Sequence, residues 1–228
     1  MSRSVRRADV VSNDRLLAAL AEELKLPLLQ IARQAELANQ ADIEMSASQA
    51  LWFVDSYLLS QQLLQQSSLE LEPVAVSSVL QDAAQTLDSL AKQYNCGLEL
   101  SISGRFMPAM AHRQALETAL VGLGSSLITA SQDKKPRLIL AAHRTQGGVV
   151  AGVFSSTDGL SQAVFQRGLS LYGKARQPMQ ELTSHTGAGI FVAAELLSSM
   201  ESILRVAKHH KLTGLAATLQ QSRQLALI

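Results

Sequence analysis

The chain has 228 residues, and its 20 Lys and Arg against 19 Asp and Glu leave a net charge of +1, which offers no electrostatic case for nucleic acid. Aromatic residues make up 4% of it, while Leu, Ala, Ser and Gln are abundant; this favours helices packed by aliphatic side chains over an all-β sandwich. Cys96 is the single cysteine, so an internal disulfide and a cysteine-ligated metal cluster are both excluded.

The N-terminal stretch MSRSVRRADVVSND is basic, but no apolar core of signal-peptide length follows it. Residues 1–12 therefore read as a flexible arm. No uninterrupted run of about 18 apolar residues occurs, so a cytoplasmic location is expected. From Leu17 the apolar positions Leu17, Leu20, Leu24, Leu28, Ile31 and Ala35 step by three and four, the spacing of a helix with one buried stripe. Asp14, or Asn13 before it, is placed to cap the start. The stripe runs through Pro27, although a proline inside a helix costs roughly 3 kcal/mol and kinks it.

A second helix is predicted from about Ser46 to Gln66, with Ala47, Leu51, Val54 and Leu58 on one face. The two helices make a hairpin over residues 13–68. Each needs neighbours along its apolar face, and a lone hairpin cannot supply them. Pairing of two chains into a dimeric four-helix bundle is the economical solution, and packing of the hairpin on the rest of its own chain is the other.

After SSLELEP the pattern changes. VAVSSVLQDAAQTLDSLAKQY reads as a short strand and a helix. GLELSIS alternates Leu98, Leu100 and Ile102 with Glu99, Ser101 and Ser103, as a half-buried strand does. HRQALETALVGLGSSLITAS is another helix, and RLILAAH and GGVVAGVF around TQGG make a β-hairpin. A helix from about Gly189 to Met200 and the strands ILRVAK and TGLAATL complete an α+β sandwich over residues 69–228. His209 and His210 would point to opposite sides of a strand, which makes them a poor metal pair and a better turn.

A helical hairpin with a proline in its first helix, followed by an α+β domain, resembles the core of histidine kinases. That core joins a dimerisation and phosphotransfer hairpin to an ATP-binding domain of the GHKL (Bergerat) type. The family's first helix carries His-Glu-Leu-Arg-Thr-Pro-Leu, and the matching residues here are Glu22, Glu23, Leu24, Lys25, Leu26, Pro27 and Leu28. The proline falls where the family has it, just after the phospho-accepting residue, but Glu22 stands in the acceptor's place. None of His112, His143, His185, His209 and His210 lies on the hairpin. Glu22 and Glu23 read either as solvated surface charges or as a fixed negative charge where a partner would meet phosphohistidine. Receiver domains of the family dock near this box, which maps to Glu22, Glu23, Lys25 and Gln30.

The resemblance continues through the ATP-binding boxes, where the chemistry decays. The family's two helix asparagines, one of them a magnesium ligand, correspond to Gly122 and Ser126. The Asp-x-Gly-x-Gly box, whose carboxylate holds the adenine amino group, corresponds to VFSSTDGL, with Ser155 at the aspartate and Gly159 at the second glycine. The last glycine box survives as Gly187 and Gly189 in TGAGIFVAAELL, at a helix start that either cradles phosphate or packs closely against a neighbour. Losing a hydrogen bond to a charged group costs roughly 1.5–3 kcal/mol and a metal ligand about as much again. Together that is on the order of a hundred- to a few thousand-fold in affinity, so ATP and magnesium binding is expected to be absent or very weak.

The resemblance thus implies a pseudokinase: a homodimer without autokinase activity that binds a receiver domain or a partner kinase in two-component or phosphorelay signalling. A working sensor kinase or histidine phosphotransferase with an unrecognised acceptor is the alternative, and a purely structural dimer is a third.

Overall fold

A computed structural model describes residues 70–104, 107–131, 135–156, 162–171 and 187–222, together with Ile31, Ile43, Ala50, Trp52, Asp55, Ser56, Leu59 and Leu63, each of which is helical. Glu22, Glu23, Lys25, Gln30 and Gly159 lie outside the described residues, as do Asp14 and Pro27.

Strand β1 (Glu72–Val74) leads into helix α1 (Val76–Gln93). Val76, Val79, Leu80, Ala83, Leu87 and Ala91 of α1 are buried, a spacing that gathers them on one side. The helix stops at Tyr94 and Asn95: Asn95 takes a φ of 50°, and the Cys96 N–H donates back to the Ala91 carbonyl at 2.8 Å. That stop turns the chain directly into β2 (Gly97–Ser103). The short β3 (Ala109–Ala111), which the sequence pattern does not announce, pairs antiparallel with β1 in a two-stranded sheet.

Helix α2 (Arg113–Ala130) begins at His112, whose Nδ1 accepts the Ala115 N–H at 3.3 Å. It is buried on almost every side, from Ala115 and Leu116 through Gly122, Gly124 and Ser126 to Ile128. Such a helix has neighbours all round. It packs on α1 on one flank, where Gly124 leaves room for the Leu87 side chain.

Strands β4 (Arg137–Thr145) and β5 (Gly148–Ser155) form the antiparallel hairpin that TQGG predicts. Gly148 has a φ of 139°, and a side chain there would run into the Leu219 carbonyl. Helix α3 (Gln162–Leu171) has no counterpart in the sequence reading, and α4 (Gly187–Ser199) begins two residues before the expected Gly189. Strands β6 (Arg205–His209) and β7 (Leu212–Leu219) close the domain, with His210 in the intervening turn at a φ of 53°. Of the histidine pair expected as a turn, His210 is in the turn, while His209 ends β6 opposite Leu212.

The main sheet has the order β2-β4-β5-β7-β6, parallel between β2 and β4 and antiparallel elsewhere. On one face Leu138, Leu140, Val149, Ala151, Val153, Leu215 and Leu219 join the helices in the main core. The alternate residues Ile139, Ala141, Val150, Phe154 and Ala216 form a second, smaller cluster.

Strand β2 corrects one expectation. Leu98 packs against the main core, but Leu100 and Ile102 are 43% and 37% exposed. β2 is the edge strand with β4 as its only sheet neighbour, so its alternation has the right phase without a full cover.

Ala47, Leu51, Val54 and Leu58, the expected buried face of the second predicted helix, lie outside the described residues. Ser56, Leu59 and Leu63 are buried, and Trp52, Leu59 and Leu63 join the main core of the same chain. The Ser56 hydroxyl donates to the Trp52 carbonyl at 2.7 Å, which satisfies it in that buried place.

Candidate functional site

The candidate site lies where α2 and α4 run against each other. Gly122 and Ser126 are one turn apart on α2 and therefore share a face. Gly189, in the first turn of α4, presses into that face: a Cβ on Gly189 would collide with Ser126 Oγ and with the Gly122 carbonyl. Conversely, a Cβ on Gly122 would lie 2.9 Å from the Gly189 carbonyl oxygen. Two backbones approach this closely only where neither residue carries a side chain. Of the two readings of the last glycine box, Gly189 fits close packing.

Trp52 also meets Gly122 at this seam. A Cβ on Gly122 would stand 2.8 Å from Trp52 Cη2 and 3.2 Å from Cζ2, so the indole rests directly on the glycine. An asparagine at this position has no room. The polar groups that line the seam are few: Ser126 is 3% exposed, and Ser125 Oγ donates to the Gly122 carbonyl at 3.2 Å. Among the described residues, no group of three His, Cys, Asp or Glu side chains is arranged to hold a metal ion.

Of the predicted positions, Gly122, Ser126 and Gly189 are brought together, and Gly187 is the first residue of α4 two positions away. Ser155 is buried at the end of β5, between Leu138 and Thr213 in the sheet register. Trp52 is the residue that sequence reasoning missed. The signal available for it was a lone tryptophan at the head of a 52/56/59/63 stripe, which competes with the more aliphatic stripe one step round the helix.

Two further clusters carry titratable groups. An open groove of about 650 Å³ at the start of α2 is lined by Glu70, Glu72, His112, Arg113 and Glu117. Arg113 reaches back to Asp82 and Ser78 of α1. Burial pushes the Glu117 carboxyl above the usual range, the Asp82 charge adds to this, and Arg113 opposes it.

The second cluster lies at the β6–β7 turn. His209 is 8% exposed, its Nε2 is 3.0 Å from Ser101 Oγ, and the rings of His210, Phe154 and His143 stand 4.5, 5.1 and 6.4 Å from its own. Burial, and then the neighbouring His210 and His143, hold its pKa below the ordinary imidazole value.

No protein-family model matches the sequence, and no curated protein sequence does. Solved structures do. Histidine kinase ThkA in complex with the response regulator protein TrrA matches over 95% of this chain and 64% of the kinase, with a TM-score of 0.64 and 9% identity. Full-length ShkA in complex with AMPPNP matches over 89% of this chain and 44% of its own, at 0.59 and 15%. The Acinetobacter baumannii histidine kinase AdeS matches over 88% and 98%, at 0.55 and 16%.

The chain has the histidine kinase fold. Its sheet of five strands with helices on one face is the ATPase-domain architecture that the sequence resemblance implies. Within that fold, the α2–α4 seam is the place where the resemblance puts the nucleotide boxes. No helix among the described residues is long and apolar enough to cross a membrane.

Proposed function

We propose that this chain is a degenerate histidine kinase-like protein that acts in two-component or phosphorelay signalling by binding a response-regulator receiver domain or a partner kinase. Residues 69–228 are the ATPase-like domain, residues 13–68 the dimerisation hairpin, and the arm 1–12 precedes it. The receiver-facing surface is the segment around Glu22, Glu23, Lys25 and Gln30.

The observation that carries the reading is the α2–α4 seam. Gly122, Ser126 and Gly189 pack backbone against backbone under Trp52, so positions that a nucleotide-binding member would need open are filled by the protein's own atoms. Ser155, at the adenine-binding carboxylate position, is a neutral hydroxyl within the sheet. Glu22 has no imidazole nitrogen to accept a phosphoryl group. The likeness to ThkA, solved with TrrA bound, supports a receiver domain as the partner class.

Isothermal titration with ATP and magnesium, run beside light scattering, tests the reading. The expected outcome is dimer mass and no detectable heat, followed by saturable binding of a receiver domain that a charge reversal at Lys25 weakens. Micromolar ATP binding would overturn it and return the active-kinase reading to first place.

A further inference from the structure

The indole of Trp52 does more than cover a core. It belongs to a segment that precedes the α+β domain, in which Ala50, Trp52, Asp55, Ser56, Leu59 and Leu63 are helical, and it rests on Gly122, the residue of that α2 face without a side chain. Behind it, Ser56, Leu59 and Leu63 follow at one-turn intervals and are buried, with the two leucines in the main core. A single helix face thus runs from the α2–α4 seam along the domain. Ring-on-glycine contact is geometrically selective: a flat aromatic face can lie against a backbone only where no Cβ intervenes, and Gly122 is the residue on this face that permits it.

From this geometry we infer that Trp52 is a latch: its indole, keyed onto Gly122 beside Gly189, clamps the 50–63 helix to the α+β domain and makes the two move as one body. The latch goes beyond partner binding, because a chain could bind a receiver domain with or without it.

The chain has one tryptophan, so emission excited at the red edge of the indole band reports the surroundings of Trp52. In the full-length wild type the latch predicts emission blue-shifted from that of the urea-unfolded chain, with acrylamide quenching several-fold weaker. Native emission as red and as quenchable as in urea would overturn the latch. The second measurement is hydrogen exchange of Trp52→Ala against wild type. Exchange of amides 50–63 is expected to accelerate at least tenfold while the β4–β5 amides stay protected.

Unchanged exchange over 50–63 would also overturn the latch, and equal acceleration in both regions would show that Trp52 is only a core residue. Gly122→Ala gives the same test from the other side. It should red-shift the emission of Trp52 while far-UV circular dichroism is retained, and an unmoved spectrum in the folded variant would count against the contact. Receiver binding that survives any of these failures would leave the proposed function standing.

Discussion

Helix α2 contrasts with itself. Its first turn carries His112, Arg113 and Glu117 beside an open groove, while its middle carries Gly122 and Ser126 in a seam with no room for one more methyl group. Charged side chains persist where water reaches them and cost little there, whereas two helices that meet backbone to backbone admit only the smallest residues. One helix therefore serves as a solvated rim at one end and as a sealed joint at the other. The lesson is that close backbone packing and an aromatic ring from another segment can together seal a helix joint.

The comparison breaks most violently at the sealed end. Gly189→Leu places its Cβ against Ser126 Oγ and the Gly122 carbonyl, groups that are held by two helices and cannot retreat. We expect a loss of about 3 kcal/mol, read as a fall in the urea midpoint at constant protein concentration. An unchanged midpoint would mean that α4 can slide on α2.

A buried polar cluster elsewhere gives a middle-sized effect. His209 meets His143 from β4, Phe154 from β5, Ser101 from β2 and His210 from its own turn. Its pKa is depressed, so the unfolded chain takes up a proton more readily than the folded one. Stability is then complete above the ordinary imidazole value and declines as pH falls below it. Thermal melts at a series of pH values should show that decline, and His209→Gln should flatten it; a slope that survives the substitution would assign it to other groups.

The smallest effect belongs to the open end. Arg113→Ala removes the pairing with Asp82, both partners being more than a third exposed, and should cost about 0.5 kcal/mol or less and fade in salt. A loss comparable with that of Gly189→Leu would show that the groove end is as tightly built as the seam.

Much of the architecture was legible in the residues. The three-and-four spacing in α1, the TQGG turn between β4 and β5, and the order of helices and strands all report local rules that act within a few residues. Helix α3 and strand β3 were not legible: α3 is ten residues long, too short for its period to stand out, and β3 is three residues long and pairs with β1. Exposure of Leu100 and Ile102 was equally hidden, because alternation tells which face a residue shares and not whether that face is covered.

The sequence by itself determined the order of helices and strands in the α+β domain, and the resemblance read from it set Gly122, Ser126 and Ser155 at the expected positions of the nucleotide boxes. Both follow from identity and spacing alone. Only the tertiary structure decided what stands at those positions: that Gly189 enters the α2 face, that Trp52 lies on Gly122, and that Leu59 and Leu63 join the core of the domain. The contacts of Gly189 with Ser126 and Gly122 and of Trp52 with Gly122 join residues 63, 67 and 70 positions apart, and they depend on the shape of the partner surface, which no local pattern encodes.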